Sequence, residues 1–283
     1  MSADPLARWT IVGVVATAVI VLSVPAWLLR RSSAADEAAT EQAATFVGRE
    51  ACRPCHERAY ADWQGSDHDL AMDVATEATV LGDFDNAVFV SKGISSRFFR
   101  RDGKFVVTTQ GPDGSMADFE ISHVFGHDPL QQYLVPFPGG RLQCLTIAWD
   151  RDLGEWFDLY PDREIPPSDW LHWTRAAQNW NGMCAECHST NLEKSYDPGT
   201  GSYATTWSEI DVSCEACHGP GSEHVAWAAI PPMARPLLGD YGLAVATGGI
   251  SSARQVELCA PCHSRRTVLS DYANIGATPL DHQ

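Results

Sequence analysis

The sequence has little positive charge. Its 283 residues include 20 Lys and Arg against 36 Asp and Glu, which gives a formal net charge of −16. A chain with this balance has no basic excess to displace counterions from phosphate, so we expect no nucleic-acid partner. The apolar fraction of 45% is ordinary for a chain that buries a core, and it argues against global disorder.

The sequence also lacks an even number of cysteines. Nine cysteines leave at least one unpaired, and a chain of this length is not a mini-domain held together by disulfides. The length suits one large domain or two ordinary ones. What the sequence has instead is nine cysteines together with ten histidines, a combination that indicates metal or haem chemistry.

Four copies of the pattern Cys-x-x-Cys-His contain eight of the nine cysteines. This pattern is the signature of covalent haem attachment. The two intervening residues form a turn, so both sulfurs can reach the vinyl groups of one haem, and the adjacent histidine is carried under the ring to bind iron. We therefore predict four haem c groups, attached at Cys52, Cys55 and His56, at Cys184, Cys187 and His188, at Cys214, Cys217 and His218, and at Cys259, Cys262 and His263.

Zinc is the alternative to haem at these cysteines. Two Cys-x-x-Cys pairs can share one zinc ion, and Cys187 and Cys214 are far enough apart in the chain for that. Zinc does not require a histidine directly after the second cysteine, whereas all four copies have it. Haem is therefore the better interpretation. The ninth cysteine, Cys144, lies in an apolar stretch and is expected to be a small buried residue.

The amino terminus contains a long uncharged run. Residues 9–29 are 21 positions without a charge, and a helix of that length reaches roughly 30 Å, the hydrocarbon thickness of a bilayer. We predict that residues 1–31 are a membrane anchor or a signal segment and that residues 32–45 are a tether. Haem c is attached outside the cytoplasm. The remaining chain is therefore expected on the periplasmic side of the cytoplasmic membrane, anchored by an N-terminal helix. The alternative is a protein that is free in the periplasm after cleavage of the segment. Arg30 and Arg31 favour the opposite orientation of the segment, but the haem motifs require export.

The segment between the first and second motifs has the period of β-strands. Asp102-Gly103 stands between apolar runs, which is a strong hairpin signal. The segment predicts an antiparallel meander of about five or six strands. Because it holds no haem motif, we interpret it as a sheet that covers haem edges, with a substrate domain as the alternative. The expected fold is α+β: a mostly helical or irregular multihaem region with an inserted antiparallel β meander, preceded by one transmembrane helix. The predicted divisions are a first haem-binding segment at 46–80, the β insertion at 81–165 and a haem-binding region with three motifs at 166–283.

Six histidines outside the motifs are candidates for the second ligand of each iron. Gly65 can turn the chain so that His68 faces inward, and a Gly-Pro-Gly turn before His224 permits a tight reversal near a haem plane. His172 stands among tryptophans that could pack on a porphyrin or belong to an ordinary core. The six histidines are His68, His123, His127, His172, His224 and His282.

Several stretches resemble the family of the nitrifiers' tetrahaem cytochrome c554. Trp63-x-x-Ser66-x-His68 and the Cys-His-Gly-Pro-Gly-x-x-His segment that ends at His224 match motifs of that group. Residues 129–143 and 178–191 look closer to larger multihaem cytochromes with tetratricopeptide repeats, whose amino-terminal part the chain resembles over residues 46–283. The resemblance implies that His68, His172 and His224 are distal iron ligands. The positions of His123 and His127 are not characteristically histidine in that group.

These features predict a periplasmic multihaem cytochrome that relays electrons between a membrane donor and a periplasmic acceptor, with redox proteins as partners. Irons with two histidine ligands have no vacant site for chemistry, so we predict no catalytic residue. The alternatives are a haem-containing reductase or oxidoreductase subunit for a small nitrogen or sulfur compound, and a subunit that holds a larger complex together. Three distal candidates serve four irons, and the chain ends at Gln283 without an obvious closing element. We therefore expect one haem to be five-coordinate or weakly ligated.

Overall fold

The computed structural model describes residues 43–264. From Thr45 onward these residues belong to one compact unit. The predicted membrane or signal segment, nearly all of the tether and His282 lie outside the described residues. Within residues 43–264, no helix is both long and apolar enough to cross a membrane.

The helices of the described chain are short. The longest has 12 residues, and four of the others have five or fewer. Helices of this length are not stable alone, so contacts with the rest of the protein must hold them. In order they are α1 Arg49–Cys52, α2 Glu57–Trp63, α3 Trp180–Met183, α4 Ala185–His188, α5 Cys214–His218, α6 Ser222–Ala229 and α7 Ser252–His263, with 3-10 turns at Asp69–Ala71 and Ala176–Gln178.

The strands pair in antiparallel fashion. They are β1 Met72–Val74, β2 Ala87–Ser91, β3 Ile94–Arg101, β4 Lys104–Gln110, β5 Met116–Glu120, β6 His123–Phe125, β7 Leu130–Phe137, β8 Arg141–Cys144, β9 Ile147–Asp150, β10 Glu155–Asp158, β11 Tyr196–Asp197 and β12 Ser202–Tyr203. One sheet has the order β2-β3-β4-β5. A larger sheet has the order β1-β6-β7-β9-β10, with β8 also paired to β7, and β11 and β12 form a small hairpin.

The expectation of a mostly helical or irregular protein is wrong. More described residues lie in strands than in helices, and the antiparallel region contains nine strands, β2 to β10, rather than five or six. Each haem-attachment motif needs only a short helical turn, whereas the segment between the first two motifs builds two sheets around its own core. The first haem-binding segment also contributes β1 to the larger sheet. The expected fold also included one transmembrane helix, and residues 43–264 contain none.

Two-residue turns connect the strands of the smaller sheet. Asp102 and Gly103 have φ values of 52° and 76° and join β3 to β4, which confirms the predicted hairpin. Positive φ at both central positions matches the twist of the flanking strands. Lys92 and Gly93, with φ values of 51° and 77°, make the same kind of turn between β2 and β3. The sequence does not signal that turn, because lysine is uncommon at positive φ.

Strand β7 has two buried faces. Tyr133 points into an aromatic core to which both sheets contribute, with Phe84, Phe98, Phe105 and Trp156 among its members. Leu134 points to the opposite side and packs with Cys144 and Trp180. Successive side chains of a strand alternate between its faces, so one strand can serve both cores. The larger sheet thus lies between an aromatic core and the segment that carries the second motif.

A buried asparagine fixes the chain that enters the second motif. Asn181 Oδ1 accepts a hydrogen bond from Leu142 N at 2.8 Å. Its amide nitrogen donates to the Gly140 carbonyl oxygen and to Thr205 Oγ1 at 3.1 and 2.9 Å. Because buried polar groups are costly to leave unpaired, these bonds hold α3, and Cys184 directly after it, against β8.

Candidate haem site

Each Cys-x-x-Cys-His motif forms a helical turn, as its spacing predicts. In the first motif the backbone N–H groups of Cys55 and His56 both donate to the Cys52 carbonyl oxygen, at 3.2 and 3.0 Å. In the second motif Cys187 N donates to the Cys184 carbonyl oxygen at 3.1 Å. The third motif coincides with α5, and the fourth ends α7. The two cysteines of a motif can therefore reach one haem.

The four motifs are packed against one another in space. Helix α1, which ends at Cys52, contacts α5, which is the third motif, and this contact joins the first and third motifs. Cys217 lies within electrostatic reach of Cys259, which joins the third and fourth. Helix α4, which carries the second motif, contacts α7, which carries the fourth. Motifs that are far apart in the chain, such as the first and third, are therefore neighbours in space.

Two pairs of imidazole rings face each other across different motifs. The ring centres of His56 and His224 are 6.0 Å apart, and those of His68 and His263 are 6.1 Å apart. A histidine nitrogen lies about 2 Å from a bound metal ion, so two imidazoles on opposite sides of one ion have ring centres about 6 Å apart. Both pairs therefore fit two-histidine ligation of an iron.

Backbone carbonyl groups hold one nitrogen of three of the imidazoles. Nδ1 of His188 lies 2.9 Å from the Ala71 oxygen, and Nδ1 of His224 lies 2.8 Å from the Tyr241 oxygen. His218 Nδ1 has a carbonyl oxygen at 3.2 Å. Such a bond fixes the tautomer and leaves Nε2 to bind metal. Burial also lowers the pKa of His188, which favours the neutral ring that a metal requires.

The third predicted distal ligand, His172, lies away from these pairs. It is buried, and its Nδ1 is 2.9 Å from Thr174 Oγ1. It lines a cavity of about 350 Å³ together with residues of both sheets, including Ser91 and Asp158, and with Lys92 of the turn between β2 and β3. Iron ligation by His172 remains a prediction. Within residues 43–264, His56 and His263 each face a second histidine ring. The other two motif histidines, His188 and His218, do not face one among these residues.

The two histidines that the family resemblance leaves out as distal ligands, His123 and His127, lie in the β region. His123 is on β6, with Nδ1 2.8 Å from Ser122 Oγ, and its ring meets Trp207 edge-on. His127 follows the same strand. Cys144 is buried on β8, where burial raises the pKa of its thiol well above the ordinary value, so the expectation of a small buried residue is confirmed.

Glu215 is a functional residue that sequence reasoning missed. It occupies a variable position of the third motif and is 2% exposed. Its carboxylate accepts hydrogen bonds from the backbone N–H groups of Val47, Gly48 and Gly221, with shortest distances of 2.9, 2.8 and 2.8 Å. These bonds tie the chain entering the first motif to the loop leaving the third. They also satisfy a charge whose burial would otherwise be costly.

Comparison with known proteins places two segments of the chain in one family. A family model described as cytochrome c554 and c-prime matches residues 51–84 and 171–219. These ranges contain the first three motifs together with His68 and His172. No curated protein matches the sequence.

Two solved structures can be aligned with most of the chain. The outer cell wall cytochrome OcwA has a TM-score of 0.48 and 19% identity, over 79% of this chain and 38% of that protein. The undecahaem cytochrome from the S-layer of Carboxydothermus ferrireducens has a TM-score of 0.43 and 16% identity, over 81% of this chain and 27% of that protein. The chain therefore spans less than half the length of either protein.

The family match and the four packed motifs define the class of this protein. It is a multihaem c-type cytochrome, the class whose repeated attachment motifs hold several haem c groups. Within that class, residues 51–84 and 171–219 match the cytochrome c554 and c-prime family, which agrees with the resemblance that the motif around His68 carries.

Proposed function

We propose that this cytochrome carries four haem c groups, one per motif, and relays electrons between a membrane donor and a periplasmic acceptor. When bound, haem supplies a one-electron Fe(III)/Fe(II) couple. Attachment of haem c outside the cytoplasm supports the periplasmic location. The net charge of −16 suits a redox partner with a basic docking surface and an encounter that weakens with salt.

The pairing of imidazoles across motifs is the observation that carries this proposal. His224 follows the third motif but faces His56 of the first, and His68 follows the first motif but faces His263 of the fourth. Each such pair would hold one haem iron with histidines from two haem-binding segments. Ligation of this kind would interlock the segments, which suits a path for electrons from one haem to the next.

A reductase for a small nitrogen or sulfur compound is a second candidate. The observation that favours it is that His188 and His218 face no second histidine ring within residues 43–264. An open coordination position is required for a substrate to bind iron, but it also occurs in carriers. Assays of nitrite and hydroxylamine reduction by the purified holoprotein distinguish the two functions.

Mass spectrometry of the denatured holoprotein tests the number of haems. We expect four haem additions, because the sequence contains four complete attachment motifs. Replacing Cys259 and Cys262 by Ala should remove one addition. Cys144→Ala is the matched control and should keep all four, because Cys144 lies outside the motifs. Fewer than four additions in fully matured wild-type protein would contradict the proposed count.

The oxidised protein should also reveal an incomplete ligand set. We expect a high-spin ferric signal equivalent to about one haem in electron paramagnetic resonance. The reason is the shortage of distal histidines relative to motifs. Low-spin signals from all four haems would contradict this expectation and would show that every iron has a second strong ligand.

A further inference from the structure

A cluster of buried charges lies beside the first and third motifs. Arg49 Nη1 is 2.5 Å from Asp211 Oδ2 and 3.5 Å from Asp69 Oδ1, and Arg49 Nε is 3.1 Å from Glu209 Oε1. Three carboxyl groups thus share one guanidinium. If all three were ionised, the cluster would hold an uncompensated negative charge in a poorly solvated place, which is unfavourable.

Two carboxyl oxygens of the cluster are unpartnered. The side chains of Asp211 and Glu209 are 4% and 9% exposed. Among the residues that the structure describes, Asp211 Oδ1 and Glu209 Oε2 are buried without a hydrogen-bond partner. A proton on one of these oxygens would remove the lone acceptor that no donor reaches and would reduce the negative charge of the cluster. The unpaired oxygens therefore point to a proton as the missing ligand.

The electrostatic surroundings of Asp211 agree with this interpretation. Burial raises the pKa of Asp211 to about 6, although its contact with Arg49 opposes the shift. The charged groups that face it are Arg49 from α1, Asp69 from the 3-10 turn and Glu209 from its own segment, and both carboxyl groups raise the pKa further. Asp211 is thus poised to change protonation state near neutral pH.

The cluster lies between haem attachment sites. Arg49 begins α1, which ends at Cys52, and Asp211 precedes Cys214 by three residues. The helices that carry Cys52 and Cys214, α1 and α5, are in contact. The backbone N–H directly after Asp211 donates to the His68 carbonyl oxygen at 3.1 Å. Charge that arrives on a haem held at the first or third motif would therefore act on Asp211 from an adjoining segment of the chain.

We propose that Asp211 binds a proton when a neighbouring haem is reduced, so that electron transfer through this cytochrome is coupled to proton uptake. The inference rests on the proposed function, since it requires haems at the first and third motifs. One electron from the donor converts one Fe(III) to Fe(II), and one proton from solvent forms an O–H bond on the Asp211 carboxylate. On reoxidation the electron passes to the acceptor and the proton returns to solvent.

The expected sign follows from the charges. Reduction adds negative charge beside Asp211, which favours the neutral carboxylic acid. Between the pKa of the oxidised state and the higher pKa of the reduced state, only the reduced protein holds the proton. Within that window the reduction potential falls as pH rises. A tenfold change in proton concentration shifts a one-electron potential by at most about 59 mV.

Potentiometric titration of the holoprotein across a range of pH tests the proposal. One wild-type potential should fall as pH rises above about 6, the pKa of Asp211. Asp211→Asn should lose this slope and should have the higher potential at alkaline pH, because a negative charge has been removed. Asp62→Asn is the matched control, because Asp62 is a mostly exposed carboxylate on α2, the helix that follows the first motif. This variant should keep the dependence of the potential on pH.

Infrared difference spectra of the wild-type protein provide a test without a variant. The reduced-minus-oxidised spectrum should show a protonated carboxyl band that shifts when aspartate is labelled with ¹³C at the side-chain carboxyl. A band that does not shift, or a slope that persists in Asp211→Asn, would assign the proton to another group, such as a haem propionate, and would overturn the inference. Flat potentials in protein with all four haems would also overturn it while leaving the relay intact. Missing haems would instead contradict the proposed function.

Discussion

Glu215 shows how one side chain can organise two haem-binding segments. Its carboxylate takes backbone hydrogen bonds from both sides of the junction between the first and third motifs. A glutamine has the same shape but replaces one acceptor oxygen by a donor. Glu215→Gln would therefore place an N–H group against backbone N–H groups in a buried site.

We expect Glu215→Gln to lower the free energy of unfolding by about 2 kcal/mol, because hydrogen bonds to charged groups are worth about 1.5–3 kcal/mol. Chemical denaturation of the holoprotein measures this change, with haem content determined in parallel. Glu223→Gln is the control, because Glu223 is exposed on α6, and its effect should stay within about 0.5 kcal/mol. Equal stability of the two variants would contradict the role of Glu215.

The sequence predicts those features of the haem site that depend on residues close together in the chain. The motif spacing gives the helical turns, and the glycines near His68 and His224 indicate that the chain reverses there. The partners of these two histidines depend on tertiary packing, since His68 meets a histidine that is 195 residues away in the chain, His263. Glu215 could not be found, because an acidic side chain in a short motif is ordinarily exposed.

At the scale of elements, the hairpin between β3 and β4 depends on backbone conformation alone. Gly103 has a φ of 76°, and a Cβ added there would meet no atom within 4 Å. A residue other than glycine in this conformation costs about 1 kcal/mol or more. We therefore expect Gly103→Ala to lower the free energy of unfolding by about that amount, while the visible spectrum of the haems stays unchanged.

A second glycine provides the control for this prediction. Gly239 also has open space around an added Cβ, but its φ lies outside the positive range. Gly239→Ala should leave stability unchanged or raise it slightly, because alanine restricts the unfolded chain. If thermal unfolding shows that both variants lose the same stability, the positive φ of Gly103 does not explain the effect of Gly103→Ala.

The elements also show why the strand content was underestimated. Asp-Gly at positions 102 and 103 is a strong hairpin signal, and its strands form as expected. The Lys92-Gly93 turn carries no such signal, and three-residue strands such as β1 and β6 are too short for an alternating pattern to identify. These strands exist because each pairs with a neighbour that the sequence alone does not specify.

For the molecule as a whole, we predict electron transfer without substrate turnover. The purified holoprotein should reduce nitrite or hydroxylamine far more slowly than about 1 per second, the lower range of ordinary enzymes. Electron exchange with a basic redox protein should be faster and should slow as salt is added, because the net charge is −16. Turnover at enzymatic rates would favour the reductase instead.

The measurement that tests the central claim most directly is electron paramagnetic resonance of the oxidised His224→Ala and His68→Ala holoproteins. If these histidines close the irons held by His56 and His263, each variant gains a high-spin signal of about one haem over wild type. His127→Ala is the control and should match wild type, since His127 belongs to neither imidazole pair. Variants that keep their haems without any gain in high-spin iron would contradict ligation across motifs.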